Sequence, residues 1–129
     1  MVTTFTLNAF EQPFFWGGSS FYPIQTGDAH IAPFVNYTNN LKNDPFASVI
    51  HTRIFDSTAN RSLIVNFYHY TKPEANAPIF DEFRAIQPVL LNTARIGPLR
   101  GFTTEIGAGI RPNARYIPHL HTFKSQFVL

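Results

Sequence analysis

The chain contains no cysteine, which excludes disulfides, thiolate catalysis and cysteine-based zinc sites. Charge is scarce too: Asp, Glu, Lys and Arg account for 14% of its residues, against about a quarter in an average domain. Lys and Arg are scattered and the net charge is +2, so the basic stripe of a nucleic-acid or membrane-surface binder is missing. No apolar run reaches the roughly 18 residues of a membrane span. Neither a G-x-G-x-x-G nor a Walker pattern occurs, and Gly17-Gly18 is too short to cradle a phosphate.

What is plentiful is aromatic: 14 of the 129 residues are Phe. A chain of this length has room for one domain, which buries roughly two-thirds of its unfolded surface. Few charges beside many rings point to a dry partner surface or to a piece of a larger protein. The opening VTTFTLNAF has the alternation of a strand and not the layout of a secretory leader. The sequons Asn36-Tyr37-Thr38 and Asn60-Arg61-Ser62 are about what chance supplies in a chain rich in Asn, Ser and Thr, and lean only slightly towards secretion.

The most legible stretch is Ala47 to Thr71, where ASVIHTRIF and SLIVNFYHYT flank the polar turn Asp56–Arg61. Composition and alternation predict an antiparallel hairpin. Strand side chains alternate between faces, so Ile50, Thr52 and Ile54 share one face with Leu63, Val65 and Phe67. That aliphatic face is expected under the helices. The other face then carries His51, Arg53, Asn66, Tyr68 and Tyr70, left open for a ligand.

Around the hairpin, Val2–Phe10 and Phe14–Tyr22 read as strands, with Gly17-Gly18 marking a bulge or a close backbone approach. Thr26–Asn40 reads as a helix capped by Thr26, with Pro33 tolerable only near its true start. Pro78–Gln87 reads as a second helix: Pro78 suits its first position, Asp81 and Glu82 its first turn, and Ile79, Phe83, Ile86 and Leu90 recur at helical spacing. Thr93–Gly101 is expected to be extended or irregular, Phe102–Ile106 a single helical turn and Arg115–Lys124 a last strand. The predicted fold is α+β, a ferredoxin-like (split βαβ) antiparallel sheet with helices on one face, preceded by one extra strand.

On the expected open face, Arg53 and Asn66 would orient a polar ligand while a Tyr or His51 moves a proton. The plain alternative is a hydrogen-bonded, partly solvated sheet surface. His69 falls on the aliphatic side. His119-x-His121 has metal-ligand spacing, but no third ligand stands near it, so no metal is expected. The order of elements also matches the RNA-recognition motif, yet LIVNFYHY lacks the basic-Gly-aromatic lead of its signature.

Four stretches, TTFTLNAFEQPFFWGGSSFYP, FVNYTNN, NFYHYTKPE and IFDEFRAIQPVLLNTARI, together resemble the substrate-domain half of fungal FAD-linked oxidases. These are relatives of berberine bridge enzyme in the vanillyl-alcohol-oxidase group, and the resemblance covers nearly the whole chain. It implies that residues 1–12 are the last strand of a missing FAD-binding domain and that 13–129 are a partial substrate-binding domain whose sheet covers the flavin ring. The implied cofactor is FAD, and the implied partners are the missing domain and a small-molecule substrate. In complete members a hydride passes from an alcohol, amine or sugar carbon to the flavin, and O2 reoxidises it. The family's flavin-linking His and its C-terminal return to the flavin have no counterpart here, so no catalytic motif maps onto a residue and the piece is expected to be inactive alone. His51, Arg53, Asn66, Tyr68 and Tyr70 are the expected substrate- or flavin-facing set. The alternative is a cofactor-free, ferredoxin-like binding module that dimerises through its open sheet.

Overall fold

The hairpin is the spine of the sheet. The computed structural model describes Thr4, Thr6, Leu7, Glu11 and residues 14–57 and 59–109. Strand β1 (Phe15–Pro23) leads through a 3-10 helix (Ile24–His30) into α1 (Ile31–Asn40). The hairpin strands β2 (Ala47–Asp56) and β3 (Arg61–Tyr70) follow, then a 3-10 turn (Pro78–Phe80) and the short α2 (Asp81–Arg84). The described part closes with β4 (Leu91–Asn92), β5 (Arg95–Gly97) and α3 (Leu99–Gly109). The sheet order is β2-β3-β1-β4, with β5 also pairing β1, and every pairing is antiparallel. With β3 between β1 and β2, this is the α+β, ferredoxin-like arrangement expected.

Among the described residues, a pair of short strands stands beside β1 on the side away from β3. The pair β4 and β5 takes that position against β1; β5 falls within Thr93–Gly101, expected to be extended or irregular, and β4 just before it. Arg115–Lys124, with His119 and His121, lies outside the described residues, and so does most of the expected opening strand Val2–Phe10.

The glycine pair permits this closure. Gly18 has φ +148°, and a Cβ there would lie 2.6 Å from the Cα of Ala94. A Cβ on Gly17 would lie 2.7 Å from the Tyr68 carbonyl oxygen. The backbones of the neighbouring strands therefore approach β1 as no side chain would allow.

The helices differ from expectation at their ends. Pro33 sits in the first turn of α1, where its missing N–H costs no helical bond. Thr26 caps nothing: its hydroxyl donates back to the Pro23 carbonyl at 2.8 Å. The second helix is cut to Asp81–Arg84, well before Pro88, and the expected single turn at Phe102 is an eleven-residue helix. Glu82 joins α1 to α2 by accepting from Asn36 Nδ2 at 3.1 and 3.0 Å.

The two sheet faces are reversed from the sequence reading. The 3-10 helix, α1 and the Pro78–Ile86 region cover the face of Trp16, Tyr22, Ile64, Tyr68 and Tyr70, and their own Tyr37, Phe80, Phe83 and Ile86 complete this core. Ile50 and Ile54, expected under helices, are 53% and 38% exposed. On that second face α3 covers the β1 side, its Phe102 ring 4.6 Å from Phe15 and its Ile106 lining a small cavity with Ser19, Phe67 and His69. Leu63 and Val65 of the inner strand are buried, so the opening runs along the β2 margin.

Candidate functional site

Beneath the 3-10 helix a line of hydrogen bonds crosses the core, and its polarity follows from one group. The Pro23 carbonyl only accepts, so Thr26 spends its single hydroxyl hydrogen there. Thr26 Oγ1 must then accept, at 3.2 Å, from His30 Nε2–H. Neutral His30 is left with an acceptor at Nδ1, which takes one amide hydrogen of Asn66 at 3.1 Å. The other amide hydrogen goes to the Tyr68 hydroxyl oxygen at 2.9 Å. The Asn66 carbonyl oxygen accepts from His51 Nδ1–H at 2.7 Å. Tyr68 and Tyr22 hydroxyls meet at 3.2 Å.

Sheet register brings these groups together. His51 and Ser20 flank Asn66 on the adjacent strands, and Tyr68 lies two residues along the same face. Asn66 is fully buried, and Tyr22, His30 and Tyr68 are nearly so. The His30 ring is 4.7 Å from Tyr22, edge-on, and 5.1 Å from His51. Burial, then the positive potential of His51 and Arg53, pushes the His30 pKa down to about 4. Burial, then the Tyr22 contact, pushes the Tyr68 hydroxyl well above its ordinary range, so both groups stay neutral.

The five expected residues divide. His51, Asn66 and Tyr68 share the line of hydrogen bonds. Arg53 is exposed, with its guanidinium against Gly27. Tyr70 stands apart, packed edge-on to Phe80 at 5.9 Å, with burial and the nearby Asp44 raising its pKa. The expectation of an open face for the set is therefore corrected: Asn66, Tyr68 and Tyr70 lie under the chain's own helices, and only His51 and Arg53 reach the surface. The reason is that their polar atoms find partners from distant segments, which makes burial affordable.

Tyr22, Thr26 and His30 were missed as members. Two signals stood in the sequence: Tyr22 shares the parity of Trp16, and Thr26 and His30 are four apart in a helical stretch. His69 is half-buried on the opposite face, 6.2 Å from the Phe15 ring, and burial lowers its pKa. Among the described residues no group of three His, Asp or Glu side chains is placed to hold a metal.

No family model matches the chain, and no solved structure does. Similar curated proteins are fungal. FAD-dependent monooxygenase sdcF of Emericella nidulans is 37% identical over 107 residues, covering 81% of this chain and 22% of the relative. FAD-dependent monooxygenase elcE of Phaeosphaeria nodorum is 31% identical over 118 residues, 84% of this chain and 36% of the relative. FAD-dependent monooxygenase CTB5 of Cercospora nicotianae is 30% identical over 117 residues, 84% of this chain and 25% of the relative. The chain thus resembles a segment of fungal flavoenzymes, and it spans 22% to 36% of the length of these three.

Proposed function

We propose that this chain is the substrate-binding portion of an FAD-dependent oxidoreductase of the berberine-bridge-like kind, working within a longer polypeptide. The observation that carries the reading is its similarity, over about four-fifths of its length, to segments of proteins named FAD-dependent monooxygenases. The reversed faces support one choice of side for the cofactor. On the second face, Ser48, Ile50, Thr52 and Ile54 of β2 and Leu63, Val65, Phe67 and His69 of β3 include no Asp, Glu, Lys or Arg, and the charged pair Asp56 and Arg61 stands at the hairpin end of the same face. An uncharged apolar strip exposed along an edge strand fits a flavin ring or the wall that holds one.

The exposed Ile50 and Ile54 support a contact with that ring; among the described residues no glycine-rich cradle for a pyrophosphate occurs, and on this reading another part of the polypeptide would hold the rest of the cofactor. When bound, FAD accepts the substrate's electrons and passes them to O2. On this reading the chain's part is to wall the ring with the Ile50 and Ile54 side of β2, while His51 and Arg53 open on the helix side of the same strand.

A chimera tests the reading. The segment of the Emericella nidulans relative that matches this chain is replaced by it, and visible flavin absorbance is measured on the purified protein. Near-stoichiometric FAD is expected, while the chain alone is expected to lose FAD on gel filtration. A folded chimera without flavin sinks the proposal, and so does an isolated chain that keeps FAD through the column. Isotope-labelled O2 supplied to an active chimera separates an oxidase from a monooxygenase.

A further inference from the structure

Helix α3 is a poorly built helix laid over a well-built surface. Gly101 and Gly107 lie inside it, and glycine is among the least favourable residues there. Thr104 turns its hydroxyl back to the Arg100 carbonyl at 2.9 Å, a local bond of the kind that bends helices. From Leu99 to Ala108 only Phe102 is buried, and Leu99 and Ile106 are exposed. One carboxylate supplies most of the fastening. Glu105 accepts from the Thr93 hydroxyl and from Arg95 Nη1, each at 2.5 Å, and the Arg95 guanidinium lies 4.6 Å from the Phe102 ring. Both members of the Arg95–Glu105 pair are partly exposed, and exposed pairs hold weakly.

What α3 covers continues the strip of Ile50. Phe67 stands opposite Ile50 on one side and Ser19 on the other, and His69 stands likewise between Ser48 and Gly17. Ser19, Phe67 and His69 line the small cavity under Phe102, Glu105 and Ile106, so the two layers meet without filling the space between them. With α3 in place the open margin is one strand wide. Along the row Ile50, Phe67 and Ser19, its removal opens three strands, two spacings of ~4.8 Å. We propose that α3 is an autoinhibitory cover, displaced when a flavin ring binds across Ile50, Phe67 and Ser19. A fused tricyclic ring is wider than a single strand and meets Ile50 and Phe67 together only when α3 leaves Phe67. On displacement Glu105 and Arg95 separate into water, and the Phe102 ring gives up its place beside Phe15. The identity of the ring rests on the function proposed above, while the weak fastening of α3 stands apart from it.

Hydrogen exchange of the 129-residue chain, with a titration by lumiflavin (the ring without its phosphate-bearing tail), is the test. Amides of α3 are expected to exchange faster than those of β1 and β3 in the parent. Glu105→Gln is expected to quicken α3 exchange roughly fivefold, the scale of one charge-assisted contact. Gly101→Ala with Gly107→Ala is expected to slow it roughly tenfold. The new methyl groups fit, since a Cβ on Gly101 would lie 3.7 Å from Arg95 Nη2 and one on Gly107 would meet nothing within 4 Å. Lumiflavin affinity is expected to change by the same factors, tighter in Glu105→Gln and weaker in the alanine pair, because only the uncovered fraction binds. Saturation is expected to move the His69 ring resonances, which a ring confined to the β2 margin would leave in place. Should Glu105→Gln unfold, the alanine pair decides alone. Exchange in α3 that ignores all three substitutions, or lumiflavin bound equally by parent and variants, overturns the cover and leaves the flavin reading intact. No saturable lumiflavin binding in any of them, with exchange responding as expected, sinks the flavin reading of this face and the displacement with it.

Discussion

Asn66 has its carbonyl oxygen and both amide hydrogens engaged in the core, to His51, His30 and Tyr68. Replacing it by Leu keeps the volume and strands three polar partners at once, a cost of about 2–4 kcal/mol. Urea unfolding should show a lower midpoint with an unchanged slope; a loss under about 0.5 kcal/mol would mean that water replaces the amide. His30 makes the network sensitive to pH. Its folded pKa of about 4 lies below its ordinary value of 6.5, so between those values the unfolded chain binds more protons. Stability therefore falls as pH drops from 6.5 towards 4 and this contribution levels off below, with an upper limit of ~3 kcal/mol. His69, lowered by burial, acts in the same direction. Unfolding midpoints measured across that window should slope less steeply in His30→Gln than in the parent. Equal slopes would show that His30 titrates normally in the folded protein.

At the scale of elements, β1 carries the constraint that closes the sheet. Gly18→Ala asks an L-residue to hold φ +148° with its Cβ 2.6 Å from Ala94, and should cost about 2–4 kcal/mol. Hydrogen exchange should quicken first at Leu90 and Thr93, whose amides bond Phe21 and Ser19 of β1; unchanged protection there would mean that the strands part without cost. Glu82→Ala, by contrast, removes an exposed tie between α1 and α2 and should shift stability by under about 1 kcal/mol. Much of this architecture was legible. The alternation of ASVIHTRIF and SLIVNFYHY located the hairpin strands, and Gly17-Gly18 located the close approach. Alternation says which side chains share a face, however, and not which face a helix will cover. Both faces carried enough apolar surface, and the aliphatic one was the natural choice. What decides is long range: Phe80 and Phe83 pack edge-on against Tyr68, while Tyr22 and His30 satisfy its polar neighbourhood. None of those pairings has a local sequence signature. The boundaries of α2 and of the β4–β5 pair were unreadable for a related reason, since they depend on where Pro88 and the Gly18 approach leave room.

At the scale of the whole molecule, the reversal moves the proposed partner surface to the side of Ile50 and Ile54. Two exposed isoleucines on an edge strand of ten residues are a liability in a free domain, because such an edge invites pairing with another chain. Within a longer polypeptide the same residues are contact surface. The double change Ile50→Lys with Ile54→Lys separates the possibilities. Both side chains are largely in solvent, so the isolated chain should lose less than about 1 kcal/mol and become more soluble. In the flavin-bearing chimera the same change places two ammonium groups against an apolar wall, where burying an unpaired charge costs several kcal/mol. Bound FAD should therefore fall sharply while the domain itself stays folded, as circular dichroism would show. Sedimentation of the isolated chain at micromolar concentration supplies the opposing outcome. If the parent is a well-folded dimer that the lysines disperse, the strip is a self-association surface and the cofactor-free module is the better account. If the parent is a monomer and the chimera keeps its flavin despite the lysines, this margin touches neither a second copy nor the cofactor side.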